Sequence, residues 1–448
     1  MCGIAGAYGI DNAAYIVSLM LQQLQHRGQE AAGIVSTGPD NLRQHRGFGL
    51  VGEIFNGFDF EKSLPGNSAI GHVRYSTSKE SHNLKSVQPF LFQNRYGQMA
   101  VAHNGNLTNY RELRHRLEQD GATFQSYSDT GAFPHLLSRS TAATETLRVA
   151  DSMSQTEGAS SLLVLTEFEL HAAVDPWGFR PLCGARYGNG FVFASETCAL
   201  DLLGIEDVFH VAPGQVTSAD VYGLNKLNYV EELPASRHCS FCHVYFSKPE
   251  SAAFGKPVAA VRDKLGVLLA KRHPVKTDLV TSVPDSSNMM ALSFARTLGI
   301  PFEFGLVRNH YTGRTFITPS QKAREFGVRM KLAANKWLIA GKSVTVVDDS
   351  VVRGTTSRKI AELLREAGAT EVHLRVASPP VIHPCFWGID TPCQEELIAA
   401  NVSREELASR LHLDSIQYLT VWDLLEALGD PSQRRHCVTC FTGGHPCR

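Results

Sequence analysis

The chain has no uninterrupted apolar run of the ~18 residues that a membrane helix needs. Nor does it open with a basic segment followed by an apolar core. It is therefore expected to be soluble and cytoplasmic, with no membrane partner. It also lacks a charge surplus of either sign. Its 43 Lys and Arg stand against 44 Asp and Glu, a net charge of −1. Proteins that grip nucleic acid carry a broad basic field, so nucleic acid is not expected as a partner. Internal repeats and low-complexity linkers are absent as well.

What remains is an ordinary globular composition on a long chain. Of 448 residues, 43% are hydrophobic and 19% charged, enough for a packed core. The length is too great for one core and suits two domains or more. Ten cysteines are many for a chain without a secretion signal. In that setting they are expected as metal-binding, catalytic or buried thiols rather than disulfides.

One stretch organises the second half: VTVVDDSVVRGTTSRKI at 344–360. Its β-branched start reads as a buried strand. Asp348 and Asp349 follow at once. Then come Ser350, Arg353, Gly354, Thr355 and Thr356 in a small-residue turn, and a helical pattern that runs to Gly368. A loop entering a helix N-terminus offers free backbone N–H groups to a phosphate. Gly354 lets the backbone come close, and the hydroxyls add donors. The paired acids could accept from sugar hydroxyls or hold a hydrated Mg²⁺. The plain alternative is an N-capped turn with two solvated acids. A second strand–loop–helix pattern carries Asp285, Ser286 and Ser287 after Leu279-Val280; that motif is also an ordinary helix start.

At the other end the chain begins Met1-Cys2-Gly3-Ile4. Removal of Met1 would put a thiol and a free amine on one residue, so that the amine could take the thiol proton. The alternative is a small buried cysteine. Two C-x-x-C pairs, Cys239 with Cys242 and Cys437 with Cys440, are compatible with a Cys₄ zinc site or a [4Fe–4S] cluster. Spacing alone does not choose between them.

The stretch at 344–360 resembles the phosphoribosyl-pyrophosphate (PRPP) loop of the type I phosphoribosyltransferases. Behind MCGI, four segments resemble the class II glutamine amidotransferases: LQHRGQEAAGI at 24–34, GHVRYST at 71–77, AHNGNL at 102–107 and SDT at 128–130. Both sets occur in order over nearly the whole chain. Together they are similar to the glutamine PRPP amidotransferase family, in its iron–sulfur-containing type. The resemblance implies a mixed α/β and α+β chain in two domains. Residues 2–235 would form an N-terminal-nucleophile αββα sandwich. Residues 236–448 would form a doubly wound type I phosphoribosyltransferase domain with a helical, Cys-rich tail.

The same resemblance implies roles. Cys2 would be the nucleophile, with the Asn104 side chain and the Gly105 N–H as oxyanion hole. Arg74 would pair with the glutamine carboxylate, Asp129 would take its ammonium, and Arg27 would lie in the segment lining the glutamine pocket. Without the resemblance, Arg74 and Asp129 read as surface charges and Asn104-Gly105 as a hairpin turn. Asp348, Asp349, Ser350, Arg353, Gly354, Thr355, Thr356, Asp285, Ser286 and Ser287 would bind PRPP. Arg314 and Lys331, from a basic loop at 308–332, would join them. Ser287, Asp348 and Asp349 would serve Mg²⁺. Cys239, Cys385, Cys437 and Cys440 would hold the [4Fe–4S] cluster, with Cys242 a surplus thiol and Cys393 and Cys447 without a role. The implied reaction transfers ammonia from glutamine, through a shielded channel, to C1 of PRPP. It gives 5-phosphoribosylamine, glutamate and pyrophosphate, the first step of purine synthesis. Purine nucleotides would inhibit, and the chain would be a homo-oligomer, a dimer or tetramer.

Some positions depart from the family pattern. SKESHN follows Thr77 where a glycine-rich turn is usual, and Gly131 stands where an acid is expected. Cys242 and His243 replace an acid and an aromatic, and His310 replaces a cation. These departures leave room for a paralogue of the same chemistry in another pathway. A non-enzymatic PRPP-sensing regulator is a further alternative; it would call for an added DNA-binding module.

Overall fold

The computed structural model describes residues 1–75, 83–310, 331–389, 391 and 393–444. The chain forms two units. The first takes Met1–Cys239, then Ser251–Gly255, then residues 386–389. The second takes Ser240–Glu250, Lys256–Cys385 and the chain from Thr391 onward. A single cut at 235 does not describe this division, because two short segments return to the first unit from later in the sequence.

The first unit is built on two antiparallel sheets. One runs, in spatial order, Val208–His210, Cys183–Tyr187, Gly190–Ala194, Gly3–Tyr8, Ala69–Arg74, Ala31–Ser36 and Arg43–Phe48. The other runs Gly223–Asn228, Gln215–Asp220, Leu170–Val174, Gly158–Leu165, Gly97–Leu107 and Phe90–Asn94. The strand Gly3–Tyr8 shows how sequence sets the layers. Side chains alternate across a strand. Ile4 and Tyr8 enter the core between the sheets, and Ala5 and Ala7 enter the core under the helix Ala13–Gln23. On the second sheet Ala100 and Ala102 face the first sheet. Met99 and Val101 join Phe133, Leu136, Val149 and Met153 of the helices Ala132–Arg139 and Glu145–Ser154. The layers are thus helix, sheet, sheet, helix, the expected αββα sandwich. Gly3–Tyr8 is buried along its whole length and on both faces, which suits a stretch as rich in small residues as GIAGAY.

The second unit is centred on a parallel sheet in the order Leu279–Ser282, Ser343–Asp348, Glu371–Val376 and Ser415–Tyr418. The helix Asn288–Leu298 follows the first of these strands and Thr355–Glu366 the second. Ser357, Ile360, Ala361 and Leu364 are the buried face of that second helix, at the spacing of one helical stripe. This is the α/β arrangement anticipated from VTVVDD and its following helix. Parallel strands bring the loops after neighbouring strands to the same sheet edge, where α/β proteins bind ligands. The loops after Ser282 and Asp348 are such neighbours, with Ser282 opposite Val347. Among the described residues, no helix is long and apolar enough to cross a membrane.

Candidate active sites

Two neighbouring strand ends make the site of the first unit. Gly3–Tyr8 pairs with Ala69–Arg74, with Gly3 opposite Val73, so Cys2 and Arg74 are brought together. The strand Gly97–Leu107 of the other sheet supplies Asn104 and Gly105. These two residues sit within a ladder, opposite Ser161 and Ser160, and are not a hairpin turn. A cavity of about 230 Å³ opens here, lined by Cys2, Arg74, Gly105 and Asp129 among others. That is below the ~300–1,000 Å³ usual for drug-sized ligands and fits an amino acid.

Asn104 is fully buried. Its Oδ1 accepts a hydrogen bond from the Cys2 backbone N–H at 3.1 Å. Its Nδ2 has no hydrogen-bond partner among the described residues. A buried donor without an acceptor is costly, about 1–3 kcal/mol, and such a group calls for an explanation. An acceptor that arrives with the substrate supplies one. Gly105 tolerates no side chain, since a Cβ there would lie 1.9 Å from the Ala159 carbonyl oxygen. The Cys2 Sγ lies 3.8 Å from the Tyr75 carbonyl. Asp129 is fixed by two backbone donors, Leu107 N–H at 2.9 Å and Thr130 N–H at 2.8 Å.

Arg27 is set behind the residues that line the cavity. It is completely buried. Its Nε donates to the Cys2 carbonyl at 3.0 Å, and its Nη1 is paired with Glu196. Glu196 is also bonded by His26 Nε2 and by Ser251 Oγ, each at 2.9 Å. Arg27 therefore holds the peptide of the nucleophile in place rather than offering its charge to the cavity. The departure at 78–83 lies almost wholly outside the described residues, Asn83 excepted.

Sequence reasoning assigned no role to several residues that meet here. His72 and His103 line the same cavity. Burial pushes His72 down to about 3 and also lowers His103, so both rings are neutral at ordinary pH. They sit inside GHVRYST and AHNGNL, where the motif itself was the available signal. Gly388 also lines the cavity, and nothing near it in sequence points to this place.

In the second unit Asp348 and Asp349 are both buried at the end of their strand. Burial, then the charge of its neighbour, raises Asp348 well above the usual carboxylate range. Burial raises Asp349 too, against the hydroxyls of Ser286 and Ser350. Ser286 Oγ donates to Asp349 Oδ2 at 2.5 Å and Ser350 Oγ to Oδ1 at 2.6 Å. So the two loops named from the sequence are joined through Asp349. Ser287 differs from expectation: it is buried and its hydroxyl donates to the Val283 carbonyl of its own loop. Asp285 pairs with Arg308 at 2.8 Å, and Arg353 with Glu396 at 2.6 Å, both exposed. Gly354 precedes the helix at φ +73°, and a Cβ there would lie 2.6 Å from Ile398 Cδ1. Thr355 and Thr356 are exposed at the helix N-terminus. The Lys331 carbonyl accepts from Asn309 N–H at 2.8 Å, and Arg314 lies outside the described residues.

Two groups can be weighed against these side chains. A buried acid pair with raised proton affinity favours any arriving cation, and one or two carboxylates plus substrate phosphates are what Mg²⁺ ordinarily takes. Asp348 and Asp349 fit it. For an iron–sulfur cluster, the Cys440 carbonyl accepts from Ile382 N–H at 3.0 Å and His383 N–H at 3.1 Å. This ties the segment leading into Cys385 to the one bearing Cys437 and Cys440. Three of the four expected thiols are thus carried on joined segments of the second unit, which suits the group. Among the described residues, however, no three His, Cys, Asp or Glu side chains converge as a metal site.

Residues 72–202 match the glutamine amidotransferase domain family. Over its full length the chain is similar to curated amidophosphoribosyltransferases. It is 48% identical to the chloroplastic protein of Glycine max, covering 99% of this chain and 78% of that one. It is 45% identical to the protein of Bacillus subtilis (99% and 94%) and 42% identical to that of Archaeoglobus fulgidus (100% and 98%). Among solved structures, glutamine PRPP amidotransferase from B. subtilis, complexed with ADP and GMP, matches with a TM-score of 0.93 at 44% identity. That match covers 99% of this chain and 97% of the other.

Proposed function

The chain belongs to the amidophosphoribosyltransferase family, and on that footing we infer that it moves ammonia from glutamine to C1 of PRPP. The products are 5-phosphoribosylamine, glutamate and pyrophosphate, and the reaction opens purine synthesis. The observation that carries the reading is that one chain holds chemistry for both halves. Beside Cys2 stands a buried amide donor without an acceptor, and in the second unit a buried acid pair is bridged to a second loop.

In the first half, the Cys2 thiolate attacks the glutamine carboxamide carbon. Asn104 Nδ2 and the Gly105 N–H receive the oxyanion as it forms. Arg74 and Asp129 hold the α-carboxylate and α-ammonium, which fixes the carboxamide over the sulfur. Collapse of the tetrahedral adduct expels ammonia, protonated by the base that took the thiol proton, and leaves a Cys2 thioester, which water opens to glutamate. Arg27 keeps the nucleophile's peptide in register throughout. For the amine of Cys2 to serve as base, Met1 has to be removed. In the second half, ammonia displaces pyrophosphate from C1. The loops at 284–287 and 350–357 hold the phosphates. Ser350, Arg353, Gly354, Thr355 and Thr356 present the helix N-terminus, Asp285 and Ser286 belong to the loop beside it, and Lys331, with Arg314 from outside the described residues, would add cationic contacts to the diphosphate. Asp348 and Asp349 would hold the Mg²⁺ that screens the diphosphate's charge; Ser287 would join only if its hydroxyl left Val283.

The [4Fe–4S] cluster on Cys239, Cys385, Cys437 and Cys440 is part of this proposal as a structural element, with no step of the reaction assigned to it. So are a cytoplasmic location, a dimer or tetramer, and inhibition by purine nucleotides. The nucleotide complex of the B. subtilis protein supports the last of these. The test is steady-state turnover of anaerobically purified protein. Glutamate release that requires PRPP is expected. Cys2→Ala should abolish glutamine-dependent turnover and keep ammonia-dependent turnover. Loss of both would count against separable sites, and no turnover with either nitrogen source in the unmodified chain would overturn the reading.

A further inference from the structure

The segment at 386–389 arrives in the first unit from far along the chain and seats itself at the oxyanion side of the cavity. Three contacts fix it. The Asn106 Nδ2 donates to the Phe386 carbonyl at 2.8 Å, across 280 residues of sequence. Arg180, which is buried, donates to the Trp387 carbonyl. The Trp387 ring stacks on Phe179 with centroids 4.6 Å apart at 10°. Between these anchors, Gly388 adopts φ +94°. A Cβ there would lie 2.9 Å from both the carbonyl carbon and the carbonyl oxygen of Gly105.

Each anchor leads back to the reacting residues. Asn106 is two positions from Asn104 on the same strand. The Arg180 carbonyl accepts from Ser161 Oγ at 3.0 Å, and Ser161 is the ladder partner of Asn104. The turn that presents Phe179 is itself fixed: Asp175 accepts from Trp177 N–H at 3.0 Å and Phe179 N–H at 3.4 Å. The other Asp175 oxygen accepts at 2.9 Å from Ser160 N–H, and Ser160 is the ladder partner of Gly105. Gly105 is thus held from one side by its neighbouring strand and from the other by Gly388.

We propose that residues 386–389 are a positioning element of the glutaminase, with Gly388 as the backstop that sets the Gly105 peptide in line with Asn104 Nδ2. The oxyanion donors are useful only if both point at one place. A misplacement of about 1 Å can cost about 10²-fold in rate. In this proposal the segment is not itself a ligand of the substrate. It acts through Gly105, and it acts on the tetrahedral state more than on bound glutamine. The proposal rests on the amidotransferase reading.

The experiment compares the full-length chain with Gly388→Ala and with Asn106→Ala, the milder change, which removes only the bond to Phe386. Glutamine-dependent and ammonia-dependent turnover are measured together. A third readout is binding of glutamate γ-semialdehyde, which Cys2 attacks so that the thiol proton passes to the carbonyl oxygen and a hemithioacetal forms. Gly388→Ala is expected to lower glutamine-dependent kcat at least about ten-fold, with the glutamine KM within about two-fold. Ammonia-dependent turnover should stay intact. Aldehyde affinity should fall in step with kcat, while affinity for glutamate, which forms no adduct, should hold. Asn106→Ala should show the same signature with a smaller loss, and it decides the matter if Gly388→Ala does not fold. Unchanged kcat, or aldehyde and glutamate affinities that fall together, would overturn the proposal. Absence of all turnover in the unmodified chain would instead remove the reading beneath it.

Discussion

Asn104 carries two jobs on one side chain, and two substitutions separate them. The Oδ1 accepts the Cys2 backbone N–H at 3.1 Å, and the Nδ2 is the buried donor awaiting an oxyanion. Asn104→Ala removes both. Asn104→Asp keeps the acceptor and turns the donor into an acceptor. The bond to Cys2 is an ordinary one, worth about 1 kcal/mol net, which is less than ten-fold. Loss of one oxyanion donor costs about 10²–10³ in kcat, or roughly 2.7–4 kcal/mol. The donor term therefore dominates. Both variants are expected to lose at least about 100-fold in glutamine-dependent kcat, with Asp no better than Ala at neutral pH.

The assay is glutamate release at saturating PRPP, run beside ammonia-dependent turnover on the same preparation. The ammonia reaction should survive in both variants, because it needs nothing from the first unit. A further signature belongs to Asn104→Asp alone. Burial favours the protonated acid, and a protonated carboxyl donates again. Its deficit relative to Asn104→Ala should shrink as pH falls. If Asn104→Asp keeps more than a tenth of wild-type kcat at neutral pH, the donor is not Nδ2. Asn104 would then serve only to hold Cys2.

Three other outcomes are expected. Asp348→Asn should raise the melting temperature at pH 8 while abolishing PRPP-dependent turnover, since burial and the neighbouring charge both raise Asp348; the gain should shrink as pH falls and the native acid takes up its proton, and a lower melting temperature at pH 8 would contradict this. Burial raises Asp175 from 3.8 to about 6, so the native state holds the extra proton between those values and wild type loses roughly 3 kcal/mol as pH rises through that window; Asp175→Asn should lack this slope in urea unfolding, and parallel slopes would refute it. About four irons per chain are expected in anaerobically purified protein, falling in Cys437→Ser and Cys440→Ser; zinc in their place would overturn the cysteine assignment and leave both active sites standing.

The parts of the fold that were legible are those whose physics is local. A β-branched run ending in two acids and a small-residue turn specifies strand, loop and helix N-terminus within some twenty residues, and Ser343–Asp348 and Thr355–Glu366 are where that pattern put them. The N-terminal motifs likewise put Cys2, Arg74, Gly105 and Asp129 around one cavity. What failed was anything decided by burial or by a distant partner. Arginine in a motif looks the same whether its charge meets substrate or, as with Arg27, is neutralised by Glu196 from 169 residues away. A serine in a turn does not declare which way its hydroxyl points, and Ser287 turns inward to Val283.

Glycine is the extreme case, because it has no side chain to announce a contact. Gly105 is required to be glycine by the Ala159 carbonyl, and Gly388 by its own φ and by Gly105. Each looks, in sequence, like a turn residue. Their meaning is visible only as a stack: strand carbonyl, Gly105, Gly388. A stack of three backbones with no side chain between them has no compliance to absorb an added methyl. If that is what aims the oxyanion donors, damage at Gly388 and at Asn104 falls on the same tetrahedral state. Their effects on glutamine-dependent kcat should then be strongly sub-additive, as for groups that act as a unit. Two independent structural lesions would instead multiply.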